Sequence, residues 1–279
     1  MRGLRRAALV VGILAIVAYG GAMIWLVTQE TRIVFEAGRP LGDLRPAAPF
    51  EEVVVDRGDQ PRQRLWVMRA GAEPAGRPWV LYLHGNASNV GTRLNILHVE
   101  KLRSLGLNVL AAEYRGFGGM EGVPTEAGLN RDARSAYDYL RQQLHAQPRR
   151  TIIYGWSLGA AVAVDLASRV DEAALILEGA PASLVAIGAR RYPYFPIRTL
   201  IRNPFESIFK IDRIGSPVLF LHSPEDAVIP FGEGRRLFDA ARAPKQFVEV
   251  SGGHVYASEK DPRFFPFIRT FLQAQRLLP

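Results

Sequence analysis

The sequence predicts an α/β domain with a mostly parallel sheet of eight strands flanked by helices, preceded by one N-terminal transmembrane helix. Three observations support this. Strand and helix patterns alternate in the later part of the chain, a long uncharged run lies near the amino terminus, and 279 residues suffice for one such domain. Early strands without helices, followed by this alternation, are typical of a mixed sheet with helices on both faces.

The first element is the uncharged run from Ala7 to Val27, which as a helix is long enough to cross a hydrocarbon core of about 30 Å. Arg2, Arg5 and Arg6 precede it, and Trp25 lies near its far end, where interfacial aromatic residues are common. A cleaved signal peptide is the alternative, but the run exceeds the usual signal core of roughly 15 residues, and no convincing small-x-small site follows. A buried soluble helix would need protein around its whole circumference.

We therefore predict an anchor over residues 1–29 and an α/β domain over residues 30–279. Basic residues before the span favour a cytoplasmic amino terminus, which places the domain on the outer side of the membrane. Arg32 and Arg39 lie just beyond the span and make this preference a modest one.

The remaining elements follow from hydrophobic periodicity. Strands are predicted near residues 51–56, 65–70, 79–83, 108–113, 151–154, 174–178, 217–221 and 246–250. The main helices are predicted over residues 126–144, 157–169, 233–241 and 262–277. Ligand-binding loops in such sheets gather at the carboxyl ends of the parallel strands.

A serine lies at one of these strand ends. The segment Gly155-Trp156-Ser157-Leu158-Gly159 directly follows an apolar strand and opens a helical stretch of small residues. A serine on a sharp strand-to-helix turn needs minimal side chains two positions on either side, where the strand and helix backbones crowd together. This is the nucleophile-elbow pattern, and it makes Ser157 a candidate nucleophile.

A serine hydroxyl needs an imidazole as base and a carboxylate that orients the imidazole. Asp226 follows the strand at 217–221, with Glu225 as a neighbouring rival, and His254 follows the last strand. The order Ser157, Asp226, His254 is the one that this sheet requires. The oxyanion formed on acyl transfer would be held by the backbone amides of Leu158 and Asn86.

These motifs resemble those of α/β-hydrolases of the ABHD13/BEM46-like group of serine hydrolases. The resemblance rests on five ordered motifs and covers the chain from about residue 30 to its end: His84-Gly85-Asn86-Ala87, Tyr114-Arg115-Gly116-Phe117-Gly118, the elbow, the Asp226 loop and Gly252-Gly253-His254. It implies the α/β-hydrolase fold, a Ser-Asp-His triad and an esterase-like reaction, but not a substrate.

The sequence departs from the group's pattern at two places. Ser223 replaces the usual glycine, and Val255-Tyr256 follows His254 where a polar residue is common, so that Tyr256 narrows the expected pocket.

Other polar residues have less specific interpretations. His98 and His145 fall in helical stretches and are interpreted as solvent-facing or packing residues, whereas His84 is expected to shape the oxyanion loop and His222 to form a structural hydrogen bond. Arg115 either braces the loop through a carboxylate or forms an exposed salt bridge.

An insertion at about residues 182–215 is predicted to form a small helical cap beside the acyl pocket. Its aromatic residues either line that pocket or pack the cap onto the core: Tyr192, Tyr194, Phe195, Phe205 and Phe209. Its arginines either touch anionic lipid headgroups or form a solvated surface: Arg190, Arg191, Arg198 and Arg202.

Composition bears on other classes of function. The net charge of +8 is spread along the chain without a nucleic-acid-binding motif, so no nucleic-acid partner is expected. The sequence has no cysteine, and its five histidines lack metal-ligand spacing, so we expect neither metal nor cofactor.

The sequence thus predicts a membrane-anchored serine hydrolase that cleaves carboxylic esters or thioesters of a small-molecule or lipid-like acyl substrate. An acyltransferase or a serine peptidase would use the same triad. A non-catalytic, membrane-tethered binding protein on the same fold is the alternative of a different class.

Overall fold

The computed structural model describes residues 2–71 and 76–279. Its sheet has eight strands: β1 (Phe50–Arg57), β2 (Gln60–Met68), β3 (Trp79–Leu83), β4 (Asn108–Ala112), β5 (Thr151–Trp156), β6 (Ala174–Glu178), β7 (Val218–His222) and β8 (Lys245–Glu249). Their order is β1-β2-β4-β3-β5-β6-β7-β8. The pairs β1/β2 and β2/β4 are antiparallel and the other pairs are parallel, which confirms the predicted mixed, mostly parallel sheet.

The helices of the described chain are α1 (Arg2–Phe35), α2 (Arg93–Ser104), α3 (Glu126–Gln142), α4 (Leu158–Ala167), α5 (Leu184–Arg191), α6 (Ile197–Leu200), α7 (Phe231–Ala240), α8 (Gly253–Lys260) and α9 (Phe264–Ala274). The predicted helix at 262–277 is shorter, and α8 precedes it directly after the last strand's loop. Strand β2 begins five residues before its predicted start. The prediction missed its first half because those residues are polar and partly exposed and lack an apolar pattern.

The sheet separates two hydrophobic layers. Along β3, Leu81 and Leu83 point into a layer with Leu129 of α3, whereas Val80 and Tyr82 point into the opposite layer. This alternation follows from the two-residue period of a strand. The central strands are therefore buried on both faces, and the loops at their carboxyl ends are held by a rigid core.

Helix α1 is long and apolar enough to cross a membrane, with a mean hydropathy of 2.3 over an 18-residue window in which no residue is buried. The helix continues through the predicted boundary at residue 29 to Phe35. The Phe35 side chain is fully buried and packs edge-on against Phe205, with 6.0 Å between ring centroids. The carboxyl end of α1 is therefore part of the domain core.

The segment between β6 and β7, predicted as a helical cap, contains α5, α6 and two 3-10 turns at Ser207–Phe209 and Ile211–Arg213. Its aromatic residues have different environments, since Phe205 is buried while Tyr194 and Phe209 are 85% and 63% exposed.

Candidate active site

Ser157 occupies the turn between β5 and α4 with a strained backbone. Its φ is 57° and its ψ is −119°, a conformation that residues other than glycine rarely adopt. Its amide donates to the Glu178 carbonyl at 2.8 Å, and its carbonyl accepts from the Ala160 amide at 2.9 Å. The flanking strand and helix therefore hold the backbone that presents the hydroxyl.

The two glycines of the elbow occupy positions with no room for a side chain. A Cβ atom at Gly155 would lie 2.4 Å from the Gly159 carbonyl oxygen, and one at Gly159 would lie 2.1 Å from the Leu83 carbonyl oxygen. The backbone crowding expected from the sequence is present on both sides of Ser157.

The structure brings the three predicted catalytic side chains together. The Ser157 hydroxyl donates to His254 Nε2 at 2.7 Å, and His254 Nδ1 donates to Asp226 Oδ2 at 2.7 Å. The other carboxylate oxygen of Asp226 accepts from the amides of Val228 and Ile229 at 2.9 and 2.8 Å. These two bonds hold the carboxylate in the orientation that addresses the imidazole.

Ser223, which departs from the group's usual glycine, joins the loops that carry the acid and the histidine. Its hydroxyl oxygen accepts from the amides of Gly253 at 3.1 Å and Glu225 at 3.2 Å. Glu225, the rival to Asp226, is exposed, and among the described residues the carboxylate that accepts from His254 Nδ1 is that of Asp226. A glycine at 223 would offer no side-chain acceptor for this link.

His222 lies behind the loop that carries Asp226. As the last residue of β7 it donates through Nε2 to the Ile229 carbonyl at 3.0 Å, while Nε2 lies 3.4 Å from Asp226 Oδ2. Burial lowers the pKa of His222 and outweighs the opposing charge of Asp226. His222 thus forms the structural hydrogen bond expected from the sequence, and burial favours the neutral form of its ring.

The predicted oxyanion donors lie beside the serine. A Cβ atom at Gly85 would be 3.2 Å from the Ser157 Cβ, so the loop that carries Asn86 passes directly alongside the nucleophile position. Within residues 2–71 and 76–279, neither the Asn86 amide nor the Leu158 amide donates to a protein acceptor. Both amides are available to an oxygen atom of a ligand.

The oxyanion loop is tied to the N-terminal helix. The Asn86 side-chain amide donates to the Val34 carbonyl at 3.2 Å, and the Ala87 amide donates to the Phe35 carbonyl at 3.1 Å. Sequence reasoning missed this link, because it treated Asn86 as a backbone donor only and α1 as an anchor only. The last carbonyls of a helix lack partners within the helix, and here the oxyanion loop satisfies two of them.

Two buried pairs of polar side chains support the loops at the carboxyl ends of the strands. His84 Nε2 contacts Glu113 Oε1 at 2.8 Å, and Glu113 Oε2 accepts from the Val90 amide at 3.1 Å, so that His84 shapes the oxyanion loop as predicted. Arg115 is buried and donates to Asp132 at 2.7 Å. Of the two interpretations of Arg115, the structure supports the loop brace.

Of the two interpretations of His98, as a solvent-facing or a packing residue, the structure supports packing and adds a buried polar partner that was not predicted. Its ring is fully buried, stacks on Trp156 at 5.4 Å and contacts Glu178 Oε2 through Nε2 at 2.9 Å. Burial lowers the pKa of His98, but the charge and hydrogen bond of Glu178 outweigh it, so the pKa is raised. His145 is exposed but lies beyond the end of α3 at Gln142, with a φ of 52°, and so is not in a helix.

A cavity of about 280 Å³ reaches the oxyanion loop at Asn86 and the acid loop at Val228 and Ile229, and none of the three triad residues lines it. Its walls come from α1, the cap, the oxyanion loop and the acid loop. The lining is mostly apolar but includes two charged residues, Glu30 and Arg191, and consists of Leu26, Val27, Glu30, Ile33, Val34, Asn86, Leu184, Ile187, Gly188, Arg191, Tyr192, Ile197, Leu200, Ile201, Val228 and Ile229. A larger cavity of about 530 Å³ around Lys210 and Asp165 is lined mainly by polar residues and includes no residue of the oxyanion loop or the acid loop. In the part of the chain that the structure describes, no group of three or more potential metal ligands is present.

Comparisons with known proteins agree with this fold. Residues 80–242 match the model of the alpha/beta hydrolase family. The chain is 37% identical over 276 residues to the uncharacterised protein Rv2307c of Mycobacterium tuberculosis, covering 98% of this chain and 97% of that protein. It is 32% identical to the lysophosphatidylserine lipase ABHD12 of Danio rerio, over 72% of this chain and 59% of that protein.

Among solved structures, the esterase Pf2001 of Pyrococcus furiosus superposes with a TM-score of 0.69 and covers 86% of this chain and 98% of its own, at 17% identity. This likeness supports the fold alone. The matched family model and the full-length relative together show that the chain belongs to the alpha/beta hydrolase family, as the motifs predicted.

Proposed function

We propose that this protein is a membrane-anchored serine hydrolase that cleaves carboxylic esters or thioesters through an acyl-enzyme. The observation that carries the proposal is the continuous hydrogen-bond relay from Ser157 through His254 to Asp226, with both bonds at 2.7 Å, at a strained elbow. Such a relay activates a serine hydroxyl as a nucleophile. The strained turn, and the two amides beside it that donate to no protein acceptor among the described residues, support this assignment.

In the proposed reaction His254 Nε2 takes the proton of the Ser157 hydroxyl as its oxygen attacks the acyl carbonyl. Asp226 keeps Nδ1 protonated and stabilises the imidazolium, while the amides of Asn86 and Leu158 donate to the oxyanion. His254 then gives the proton to the leaving alkoxide or thiolate. A water molecule, deprotonated by His254, attacks the acyl-enzyme, and the collapse of the second tetrahedral intermediate returns the proton to Ser157.

Fluorophosphonate labelling of the full chain in detergent tests this proposal. We expect the parent to be labelled, while Ser157→Ala and His254→Ala lose labelling, the latter by about 10³-fold or more in rate. Circular dichroism of each variant checks that it is folded. A folded parent that resists the probe would contradict the hydrolase and favour a binding protein on the same fold.

The cavity favours an acyl chain of medium length. Its lining is largely apolar, and its volume corresponds to about nine groups of the size of water or a methylene, each taking roughly 30 Å³. The lipase activity in the name of the Danio rerio relative is consistent with such a substrate. We expect kcat/KM for p-nitrophenyl esters to rise from acetate to a chain of about eight to ten carbons. A flat or falling series would contradict an apolar acyl site.

For the membrane topology we propose a cytoplasmic amino terminus with the hydrolase domain on the outer side, because three arginines precede the apolar run. A reporter that is active only outside the cytoplasm should therefore be active when fused at the carboxyl terminus. Activity of a cytoplasm-only reporter at that position would reverse this assignment.

A further inference from the structure

The cap has a tip of five uncharged residues that lies against the N-terminal helix. This cap tip, Tyr192-Pro193-Tyr194-Phe195-Pro196, joins α5 to α6. The ring of Tyr19 in α1 stacks on Phe195 with 5.3 Å between centroids and 3° between planes, and the Tyr19 hydroxyl donates to the Tyr194 carbonyl at 2.7 Å. The cap tip is thus held at the level of Tyr19.

This level lies well inside the apolar run. Tyr19 precedes Val27, the last residue of the run, by eight residues, which correspond to about 12 Å of helix. The residues before Tyr19 do not suffice to cross a membrane, because the twelve from Ala7 to Ala18 extend only about 18 Å against a hydrocarbon core of about 30 Å. If α1 spans the bilayer, its span must therefore include the part that carries the cap tip.

The composition around the cap tip suits a bilayer surface. Tyr194 is 85% exposed although it is aromatic, and the cap tip itself carries no charge. Arg190, Arg191 and Arg198 flank it and are exposed. Aromatic residues between basic ones are typical of segments that insert at the headgroup level and attract anionic lipids.

The cavity of about 280 Å³, here called the pocket, extends along α1 toward the level of Tyr19. Its lining extends from Asn86, whose loop passes alongside Ser157, and Val34 to Leu26 of α1 and Tyr192 of the cap tip. Val34 and Leu26 are eight residues apart, so the pocket follows α1 for about 12 Å toward the bilayer. One wall of the pocket is therefore the membrane helix itself.

A buried contact fixes this wall to the cap. The Glu30 carboxylate of α1 accepts from the amides of Arg202 and Asn203, both at 2.8 Å, and Arg202 Nε lies 3.2 Å from its second oxygen. Glu30 is 8% exposed, so all of these donors compensate a carboxylate that has lost most of its water. The helix and the cap are held together as one unit.

We propose that the cap tip inserts into the membrane leaflet from which the carboxyl end of α1 emerges. We further propose that the pocket between the cap and α1 admits an acyl chain directly from that leaflet. The substrate class is then a membrane-resident ester or thioester whose acyl chain moves along α1 to Ser157. This deepens the function proposed above and rests on it for the chemistry, whereas the position of the cap tip is independent of catalysis.

Depth-dependent fluorescence quenching tests the position of the cap tip. Because the chain has no cysteine, Tyr194→Cys and the control Phe209→Cys can each be labelled at one site with an environment-sensitive fluorophore. Phe209 is also exposed, but it belongs to a turn that packs against α7. In vesicles of anionic and neutral phospholipids with brominated acyl chains, we expect quenching at 194 at least about twice that at 209.

Equal, weak quenching at both sites would overturn the proposal, and fluorophosphonate labelling of the same samples would show whether the hydrolase proposal survives. Strong quenching at 194 without labelling would mean that the cap tip inserts but the serine is inactive.

A second comparison tests substrate entry. Tyr194→Asp should lower hydrolysis of a long-chain ester embedded in vesicles about fivefold or more, with a soluble butyrate ester unaffected and Phe209→Asp changing neither. An equal loss on both esters would contradict entry from the leaflet.

Discussion

The two sides of the candidate active site are built in different ways. On the elbow side, β5 and α4 are buried throughout, and the backbones of residues 83, 155 and 159 touch with no room for a side chain. On the entrance side, α1 and the cap meet through side chains such as Glu30 and Tyr19, and much of α1 is exposed. Under the proposed function, we therefore expect the elbow side to control the reactivity of the serine and the entrance side to control which acyl chains reach it.

The largest expected effect is on the elbow side. Gly159→Ala places a methyl group 2.1 Å from the Leu83 carbonyl oxygen, and neither backbone can move without disturbing β3 or α4. We expect a loss of more than about 3 kcal/mol in the free energy of unfolding, together with loss of fluorophosphonate labelling. Urea unfolding of the full chain in detergent and probe labelling measure the two effects.

Gly232→Ala is the matched control for this substitution. Gly232 lies in the first turn of α7, and a Cβ atom there would meet nothing within 4 Å. Its stability should stay within about 1 kcal/mol of the parent or rise, since alanine favours helix. Parent-like stability and labelling of Gly159→Ala would show that the elbow side is more adaptable than its packing implies.

An intermediate effect is expected on the entrance side. Ile187→Trp adds volume to the pocket wall formed by α5. If the pocket loses room for about two methylenes at roughly 0.8 kcal/mol each, kcat/KM for a decanoyl ester falls about tenfold, while that for a butyryl ester changes less than about twofold. The measurement is a chain-length series in detergent.

Val123→Trp provides the control, because Val123 is 68% exposed and does not line the pocket. It should leave the chain-length profile unchanged. If Ile187→Trp lowered both esters equally, the entrance side would act on reactivity, and the division between the two sides would fail.

The two sides also differ in what the sequence could predict. The elbow, the acid loop and the histidine loop were located because each follows an apolar strand, and short-range rules place such loops at one edge of a parallel sheet. The links that α1 makes to Asn86, Asn203 and Phe195 could not be located, since they join residues 52 to 176 positions apart through single side chains.

Ser223 and His98 illustrate the same limit within the domain. The sequence marked Ser223 as a departure but could not show that its hydroxyl joins two loops. For His98, the helical position was apparent, but its partner Glu178 is 80 residues away, at the end of β6. A polar residue on a buried helix face was the available signal, and it does not identify the partner.

The smallest expected effect is on the pH dependence of the free energy of unfolding, and it differs between two histidines behind the active site. The pKa of His98 is raised in the folded protein, because Glu178 outweighs the effect of burial, whereas burial lowers that of His222. A raised pKa stabilises the fold fully below the unfolded value of about 6.5, and this contribution is lost as the pH rises through the folded value. A lowered pKa acts oppositely, since the unfolded chain then binds protons more readily and stability falls as the pH drops below about 6.5.

We therefore expect the stability difference between the parent and His98→Gln to be larger at pH 6 than at pH 9. The difference between the parent and His222→Gln should instead be smaller at pH 6. Urea unfolding in detergent at a series of pH values measures both, and differences from the parent cancel the titration of other groups. A pH-independent difference for His98→Gln would mean that Glu178 binds the ring equally well in its neutral form. The hydrogen bond to Glu178 and the stacking on Trp156 would then both support the elbow independently of the charge on the ring.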